Sequence, residues 1–231
     1  MNTKLIIGVI IIVIIIIIAI SFFVNRKPYT HNIILDTPLF LVDEVYSAVS
    51  VDKLPESKIG RKYTYTMWLN IPNVPENSVW QDDFQYKKPI VFHYGSPNVY
   101  YLPKKHHILV SIAYKNERNE KEYYDFIIDD FKSQKWVNLG VVVDNRNVDI
   151  YIDGELYAST ILPNVPWVPN KFLYLGQKNN NFNGHIYYLE YANTNLNGNQ
   201  IRNIYHSGLG HLPQRLMTYS DYFNKTKTKN N

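Results

Sequence analysis

The stretch that decides the fold is WVNLGVVVDNRNVDIYIDGELYAST, residues 136–160. Apolar and polar side chains alternate through its first nine positions, which is the pattern of a strand with one buried face. A polar run, Asp144 to Asn147, turns the chain into a second alternating strand. Asp153-Gly154 then predicts a tight hairpin, because a type I′ turn needs positive φ at both central positions. The stretch therefore predicts a three-stranded antiparallel meander whose apolar face requires a second sheet.

Four shorter motifs flank this meander in order. They are YTMWL from Tyr65, LGQ from Leu175, FNGHI from Phe182 and an amphipathic helix over residues 196–208. Together with the WVNLG strand and the YIDGEL hairpin, they resemble laminin G-like domains, which have the concanavalin A-like jelly-roll fold of lectins and glucanases. The resemblance covers residues 61–209. It implies an all-β antiparallel β-sandwich with one short C-terminal helix, and we expect Trp68 and Trp136 in the core.

Length and composition limit the classes of protein that the chain can represent. Its 231 residues are enough for one sizeable domain. The absence of cysteine excludes both a disulfide framework and a thiolate metal site. The net charge of +4 is modest, and no basic stripe interleaves with stacking aromatics, so no nucleic-acid partner is predicted. The abundance of Ile, Asn, Lys and Tyr indicates an AT-rich genome, with a large DNA virus among the expected sources.

The N-terminal apolar run predicts a transmembrane helix. It begins at Leu5, ends at Val24 and consists mostly of isoleucine. About 20 apolar residues, at about 1.5 Å each, span a hydrocarbon core of about 30 Å. A cleaved signal peptide has a shorter apolar region followed by small residues, whereas this run ends in Phe22-Phe23-Val24. We therefore expect a single-pass membrane protein with a retained anchor. Basic residues flank both ends of the run, so the orientation is left open.

These features predict five segments along the chain. Residues 1–4 are a short flank, residues 5–24 the transmembrane helix, and residues 25–60 a connector whose strand-like segments pack on the sandwich. Residues 61–212 are the laminin G-like β-sandwich. Residues 213–231 are a polar, basic tail that we expect to be flexible. A connector of this kind predicts that the sandwich is held near the bilayer.

Hydrolysis of a glycan is the enzymatic activity that the resemblance suggests testing. A glycosidase needs two facing carboxyl groups, about 5–9.5 Å apart. The related glucanases carry them in a Glu-x-Asp-x-x-Glu run, which this sequence lacks. Asp149 and Asp153 are close in sequence, but alternation directs Asp149 outward and Asp153 lies in the hairpin turn. We therefore predict a protein that is not an enzyme and has no catalytic residues.

No cofactor is predicted, although calcium is left open as an alternative. Adjacent oxygen-bearing side chains occur at Asp82-Asp83, Asp129-Asp130 and Asp144-Asn145. Such groups suit calcium, and some laminin G-like domains hold this ion on a rim. None of the three has a loop of characteristic length, however, and adjacent aspartates are typical of solvated turns. The prediction is therefore that there is no metal site.

Aromatic residues are the remaining functional signal. Trp80, Tyr100, Tyr101 and Trp167 fall in predicted loops or at strand ends, where they can bind a sugar or a protein, or simply pack. Because they are spread along the chain, the sequence favours a protein partner. The prediction is a membrane-anchored, non-enzymatic interaction or structural protein, such as a viral membrane or minor capsid-associated component of a virion. A lectin-like glycan-binding module is the alternative.

Overall fold

A computed structural model describes residues 12–14, 16, 31–41, 47–50, 54, 61–71, 88–92, 96–129, 131–168, 172–176 and 184–208. The chain divides into two compact units, Met1–Thr30 and His31–Asn231. In the first unit, residues 12–14 and 16 are helical and their apolar side chains are exposed. None of the helices that the described residues form has the length and apolar character of a membrane span. Most of the predicted span over residues 5–24, and the whole predicted tail over residues 213–231, lie outside the described residues.

The described part of the second unit is an antiparallel β-sandwich of two sheets, which confirms the predicted all-β class. Its strands are β1 (His31–Leu35), β2 (Leu39–Phe40), β3 (Ser47–Ser50), β4 (Lys62–Asn70), β5 (Lys88–Phe92), β6 (Asn98–Leu102), β7 (His107–Lys115), β8 (Lys121–Ile128), β9 (Trp136–Asp144), β10 (Asn147–Ile152), β11 (Glu155–Ile161), β12 (Phe172–Leu175) and β13 (His185–Ala192), followed by helix α1 (Gly198–Gly208). Sheet 1 has the order β1-β13-β4-β9-β10-β11, with β2 also paired to β13. Sheet 2 has the order β3-β12-β5-β6-β7-β8.

The hydrophobic core lies between the two sheets. Alternate residues of β4, β7 and β9 point into it, as the period of two requires. Its fully buried members come from both sheets and include Met67, Leu69, Leu139 and Val141 of sheet 1 and Val99, Ile108, Val110 and Ile112 of sheet 2. The intervening side chains point to the outer faces of the sandwich, where any surface of either sheet that binds a ligand must lie.

The predicted meander is present as β9, β10 and β11. Strand β10 pairs antiparallel with β9 on one side and with β11 on the other. The hairpin between β10 and β11 turns at Asp153, with φ of 50°, and Gly154, with φ of 80°. Both central residues therefore have the left-handed conformation that the Asp-Gly sequence predicts.

Three of the described strands lie before residue 61. Strand β1 pairs with β13 in sheet 1, and β2 pairs with another part of β13. Strand β3 pairs with β12 at the edge of sheet 2. The sequence indicated strand-like segments at the positions of β2 and β3, but it gave no signal for β1. That strand is the short run HNIIL, whose pairing depends on β13, more than 150 residues away in the sequence.

Helix α1 covers part of the outer face of sheet 1. Its N-terminus is capped reciprocally, because the Gln200 amide donates to Asn197 Oδ1 (3.0 Å) and the Asn197 amide donates to Gln200 Oε1 (2.9 Å). Ile201 is fully buried and packs in a cluster with Val142 and Tyr151 of the sheet. The outer face of sheet 1 is therefore a second, smaller packing layer rather than an open surface.

The expectation that Trp68 is buried is confirmed, but it lies outside the core between the sheets, and Trp136 is not fully buried. Strand β4 buries Met67 and Leu69 between the sheets, so Trp68 points to the outer face. It is nonetheless only 1% exposed, because Tyr205 of α1 stacks on its ring at 5.6 Å between centroids. Trp136 lies on the same outer face and is half-buried. Alternation determines which residues share a face, but it does not show which face is covered.

Candidate functional site

The outer face of sheet 2 brings together aromatic and charged side chains from β6, β8 and the segment after β11. Strand β7 runs through the centre of this face. Its register with β8 places Ala113 beside Tyr123 and Ser111 beside Asp125. On its other side, Leu109 lies beside Tyr100 of β6. We call the set Tyr100, Lys121, Tyr123, Asp125 and Trp167 the aromatic face.

Trp167 reaches this face because the segment after β11 continues sheet 2 beyond the end of β6. The Trp167 amide donates to the carbonyl of Ala113 at 2.7 Å, and Tyr114 forms an isolated bridge with Pro166. The side chain of Asn164 donates to the carbonyl of Lys115 at 3.0 Å and fixes the start of the segment. Trp167 and Tyr123 therefore flank Ala113 from opposite sides, and Ala113 is fully buried between them.

Lys121 lies between these two rings. Its Nζ atom is 4.8 Å from the centroid of the Tyr123 ring and 4.7 Å from that of Trp167. Both distances are within the range of a cation–π interaction, which is worth about 0.5–1 kcal/mol at an exposed site. The lysine contacts both rings and adds a positive charge beside them.

The polar part of the face is built around Asp125. Its Oδ1 atom accepts a hydrogen bond of 2.6 Å from the Ser111 hydroxyl. Burial raises the pKa of Tyr100 to about 12, and the neighbouring Tyr123 and Asp125 add to this shift. The Tyr100 hydroxyl therefore remains protonated at physiological pH and can donate a hydrogen bond. The face thus combines ring surfaces with a carboxylate, an ammonium group and hydroxyl groups.

The structure places the four residues predicted for binding in different environments. Tyr100 and Trp167 are half-buried and lie on the aromatic face. Tyr101 points the opposite way, is fully buried in the core, and its hydroxyl lies 2.8 Å from His106 Nδ1. Its ring is therefore part of the packing. Trp80 lies outside the described residues.

Sequence reasoning missed Lys121, Tyr123 and Asp125. The only signal for them was the period of two along β8, which places all three on one face. Tyr123 is 48% exposed, so this strand shows a large ring to solvent. The sequence could not show that β8 ends a sheet, nor that Trp167 packs near it.

The carboxylates considered for catalysis or calcium have structural partners. Asp149 accepts from Ser159 Oγ at 2.5 Å on the outer face, and Asp153 accepts from the Asn138 amide at 2.9 Å in the turn. Asp144 pairs with Lys62 Nζ at 3.1 Å. Across the described part of the chain, no three His, Asp or Glu side chains are grouped so that they could hold a metal ion. Asp82, Asp83 and Asp130 lie outside that part.

Comparison with known families identifies the fold. Residues 43–202 match the family described as the concanavalin A-like lectin/glucanases superfamily, in its laminin G-like form. The chain therefore belongs to this family, which confirms the resemblance seen in the sequence. No curated protein matches the chain.

Similar solved structures include three receptor- or ligand-binding domains of botulinum neurotoxins. The receptor-binding domain of neurotoxin D has 15% sequence identity and a TM-score of 0.59, over 79% of this chain and 46% of that chain. The serotype G binding domain has 16% identity and a TM-score of 0.55, over 80% of this chain and 47% of that one. The serotype D ligand-binding domain in complex with N-acetylneuraminic acid has 14% identity and a TM-score of 0.56, over 78% and 46%. This chain thus spans less than half of each neighbour, and at these identities the likeness shows the fold alone.

Proposed function

We propose that this protein is a carbohydrate-binding module, anchored in a membrane by its N-terminal apolar run, that binds a glycan on the aromatic face without cleaving it. The observation that carries the proposal is the gathering of Tyr100, Tyr123 and Trp167 around Asp125 and Lys121. A sugar ring has an apolar C–H surface that packs on aromatic rings. It also has a rim of hydroxyl groups that hydrogen bond to carboxylate, ammonium and hydroxyl groups.

The folded arrangement supports the alternative prediction, a glycan, over the protein partner that the sequence favours. The spread of the four predicted aromatic residues along the chain favours a protein partner, but β6 and the segment after β11 bring two of them, Tyr100 and Trp167, to one surface, where β8 adds Tyr123. A neighbour of the same fold has been crystallised with N-acetylneuraminic acid, which supports a glycan as the class of ligand. The lack of a Glu-x-Asp-x-x-Glu run supports binding without hydrolysis.

Docking of a protein partner beside the membrane is the second candidate. It is favoured by the exposed apolar side chains of β11 on sheet 1, where Leu156 is 56% and Ile161 65% exposed. Large apolar side chains on an edge strand are typical of interaction surfaces. This surface is separate from the aromatic face, so substitutions distinguish the two candidates.

Glycan binding is tested with the purified full chain in detergent. We expect it to bind a defined subset of a glycan array with micromolar affinity. The Tyr123→Ala and Trp167→Ala substitutions should each weaken binding about tenfold, because each removes an aromatic contact worth about 1–1.5 kcal/mol. Isothermal titration with the best glycan measures the loss.

The matched control is Tyr157→Ala, which removes a tyrosine that is 40% exposed on β11 of the other sheet, where its hydroxyl donates to Asp129 after the end of β8 and its ring does not belong to the aromatic face. It should leave the affinity unchanged. A wild-type chain that binds no glycan would exclude the proposal, and equal losses in Tyr123→Ala and Tyr157→Ala would exclude this face as the site. Turnover of a polysaccharide by the pure protein would exclude the non-enzymatic part.

Membrane anchoring is tested on the native protein. We expect it to stay in the membrane fraction after an alkaline carbonate wash, because about 20 apolar residues are enough to span the bilayer. Mass spectrometry should find the peptide that contains Leu5 to Val24. The bias towards Ile, Asn, Lys and Tyr makes a virion membrane the first preparation to examine. A chain that begins near Asn25, or that the wash releases, would contradict the anchor.

A further inference from the structure

Strand β8 ends sheet 2 with a long and regular edge. It pairs with β7 through all eight of its residues, from Lys121 opposite Lys115 to Ile128 opposite Ile108, without a bulge. It contains no proline. Within the part of the chain that the structure describes, no strand pairs with its other edge. Proteins commonly protect such edges with prolines, bulges or covering segments, because a free edge can pair with another strand.

The side chains of β8 are also exposed to an unusual degree. Every residue from Lys121 to Asp125 is exposed. The larger apolar ones include Tyr123 at 48%, Tyr124 at 37% and Ile127 at 44% exposure. Three large apolar side chains on an edge that has no strand partner among the described residues indicate a surface that associates with another strand, although Lys121, Glu122 and Asp125 restrict which strand can pair with it.

We propose that this edge binds a second copy of the same chain, with the two β8 strands antiparallel and the two-fold axis at Tyr123. This register places Lys121 of each copy opposite Asp125 of the other, so that two ion pairs form on the outer face when the Lys121 ammonium group turns from the rings of Tyr123 and Trp167 towards the partner. Tyr123 lies opposite its own symmetry mate, and Glu122 lies opposite Tyr124. The surface is self-complementary, as an interface with two-fold symmetry requires.

The charges of β8 favour this register, because an axis at Tyr123 places Lys121 opposite Asp125, whereas an axis at Tyr124 places neither of them opposite a charged residue. An axis at Asp125 would place two carboxylates opposite each other, and an axis at Lys121 would do the same with two ammonium groups. Like charges in direct opposition destabilise a strand pair. Within one copy, Lys121 already lies opposite Lys115. Asp125 of the second copy adds an opposite charge at this position, which a strand without an acid there would not do.

Pairing of the two edges joins two six-stranded sheets into one continuous sheet. Cross-strand partners share a face of an antiparallel sheet, so the aromatic faces of both copies lie on the same side. A dimer of this form presents two equal sites to one surface, which increases the apparent affinity for a multivalent ligand. The dimer itself does not depend on what the aromatic face binds.

The absence of cysteine from the chain makes cross-linking a direct test. In the proposed dimer, the Cα atoms of Tyr123 and its symmetry mate are about 4.5–5.5 Å apart, which suits a disulfide bond. We expect Tyr123→Cys, in the full chain in detergent, to form a disulfide-linked dimer under mild oxidation. Lys121→Cys and Asp125→Cys should not cross-link alone, because each lies about 13 Å from its own mate. A mixture of the two should cross-link.

Lys135→Cys is the control, since Lys135 is exposed and precedes β9, away from this edge. Cross-linking of Tyr123→Cys no greater than that of Lys135→Cys would overturn the proposal. So would efficient cross-linking of Lys121→Cys alone, which would place the axis elsewhere. The apolar N-terminal run can associate by itself in a micelle, so the mass of the particle does not show which surfaces are in contact. The position that cross-links shows whether the two β8 edges pair.

Reversal of the charges gives an independent measurement. We expect Lys121→Asp to weaken dimerisation at least about tenfold, because it places carboxylates opposite each other at both ends of the interface. The double change of Lys121→Asp with Asp125→Lys restores opposite charges and should restore the dimer. Sedimentation velocity measures both. A double variant as weak as the single one would exclude the pairing of Lys121 with Asp125.

Discussion

Replacement of Trp68 by alanine should lower the free energy of unfolding by about 3–5 kcal/mol, although this residue lies outside the core between the sheets. Trp68 is 1% exposed and stacks on Tyr205 of α1, with an angle of 22° between the rings. It also lies under the end of the helix, where a Cβ atom at Gly208 would be 2.5 Å from Trp68 Nε1. Loss of the indole therefore removes the main contact between the C-terminal end of α1 and sheet 1. Denaturant melts of the full chain measure the change.

Two variants separate the possible causes of this loss. The indole N–H of Trp68 has no hydrogen-bond partner among the described residues, so Trp68→Phe removes ring volume but no hydrogen bond and should cost clearly less than Trp68→Ala. Trp136→Ala, at a half-buried neighbour on the same face, should cost about 1–2 kcal/mol. A loss below about 1 kcal/mol for Trp68→Ala would mean that α1 does not pack on the sheet in solution.

The meander and Trp68 show which parts of the fold can be predicted from the sequence and which cannot. Alternation and the Asp-Gly turn are local features, and they were enough to predict β9, β10, β11 and the faces of their residues. The covering of one outer face by α1 is a long-range feature. It depends on contacts between the helix and strands up to 140 residues earlier, such as that between Tyr205 and Trp68. No local pattern contains this information.

The candidate site shows the same limit, because it also depends on contacts between distant parts of the chain. Tyr100 and Tyr101 are adjacent, and alternation places them on opposite faces, but only the sheet order shows that Tyr101 is the inward one. Trp167 joins Tyr123 because the segment after β11 takes the place beside β7 that β6 leaves free. The residue types were visible in the sequence. Their assembly into one surface was not, because it depends on which strands are neighbours.

The same outer layer of sheet 1 should make the stability of the protein depend on pH. Burial lowers the pKa of His185 from its ordinary value of 6.5 to about 4. The ring lies opposite Asn70 of β4, with its centroid 6.3 Å from that of Trp136. Above about pH 6.5 the imidazole is neutral in the folded and unfolded states, so its contribution to stability is complete. Between about pH 6.5 and 4 the unfolded state takes up a proton that the folded state does not, and stability falls.

We therefore expect the free energy of unfolding to fall by about 2 kcal/mol between pH 6.5 and 4 because of His185. The full lowering of the His185 pKa would correspond to about 3 kcal/mol of stability, and contact of the half-buried ring with solvent reduces this energy. Denaturant melts across this range measure the slope for the wild type and for His185→Gln and His185→Phe, neither of which can take up the proton. In both variants the free energy of unfolding should change less with pH than in the wild type, and by the same amount, even though their stabilities at neutral pH differ. An unchanged slope in both would show that the imidazole is as accessible to protons in the folded chain as in the unfolded one. In that case, the layer around Trp136 would be open to water.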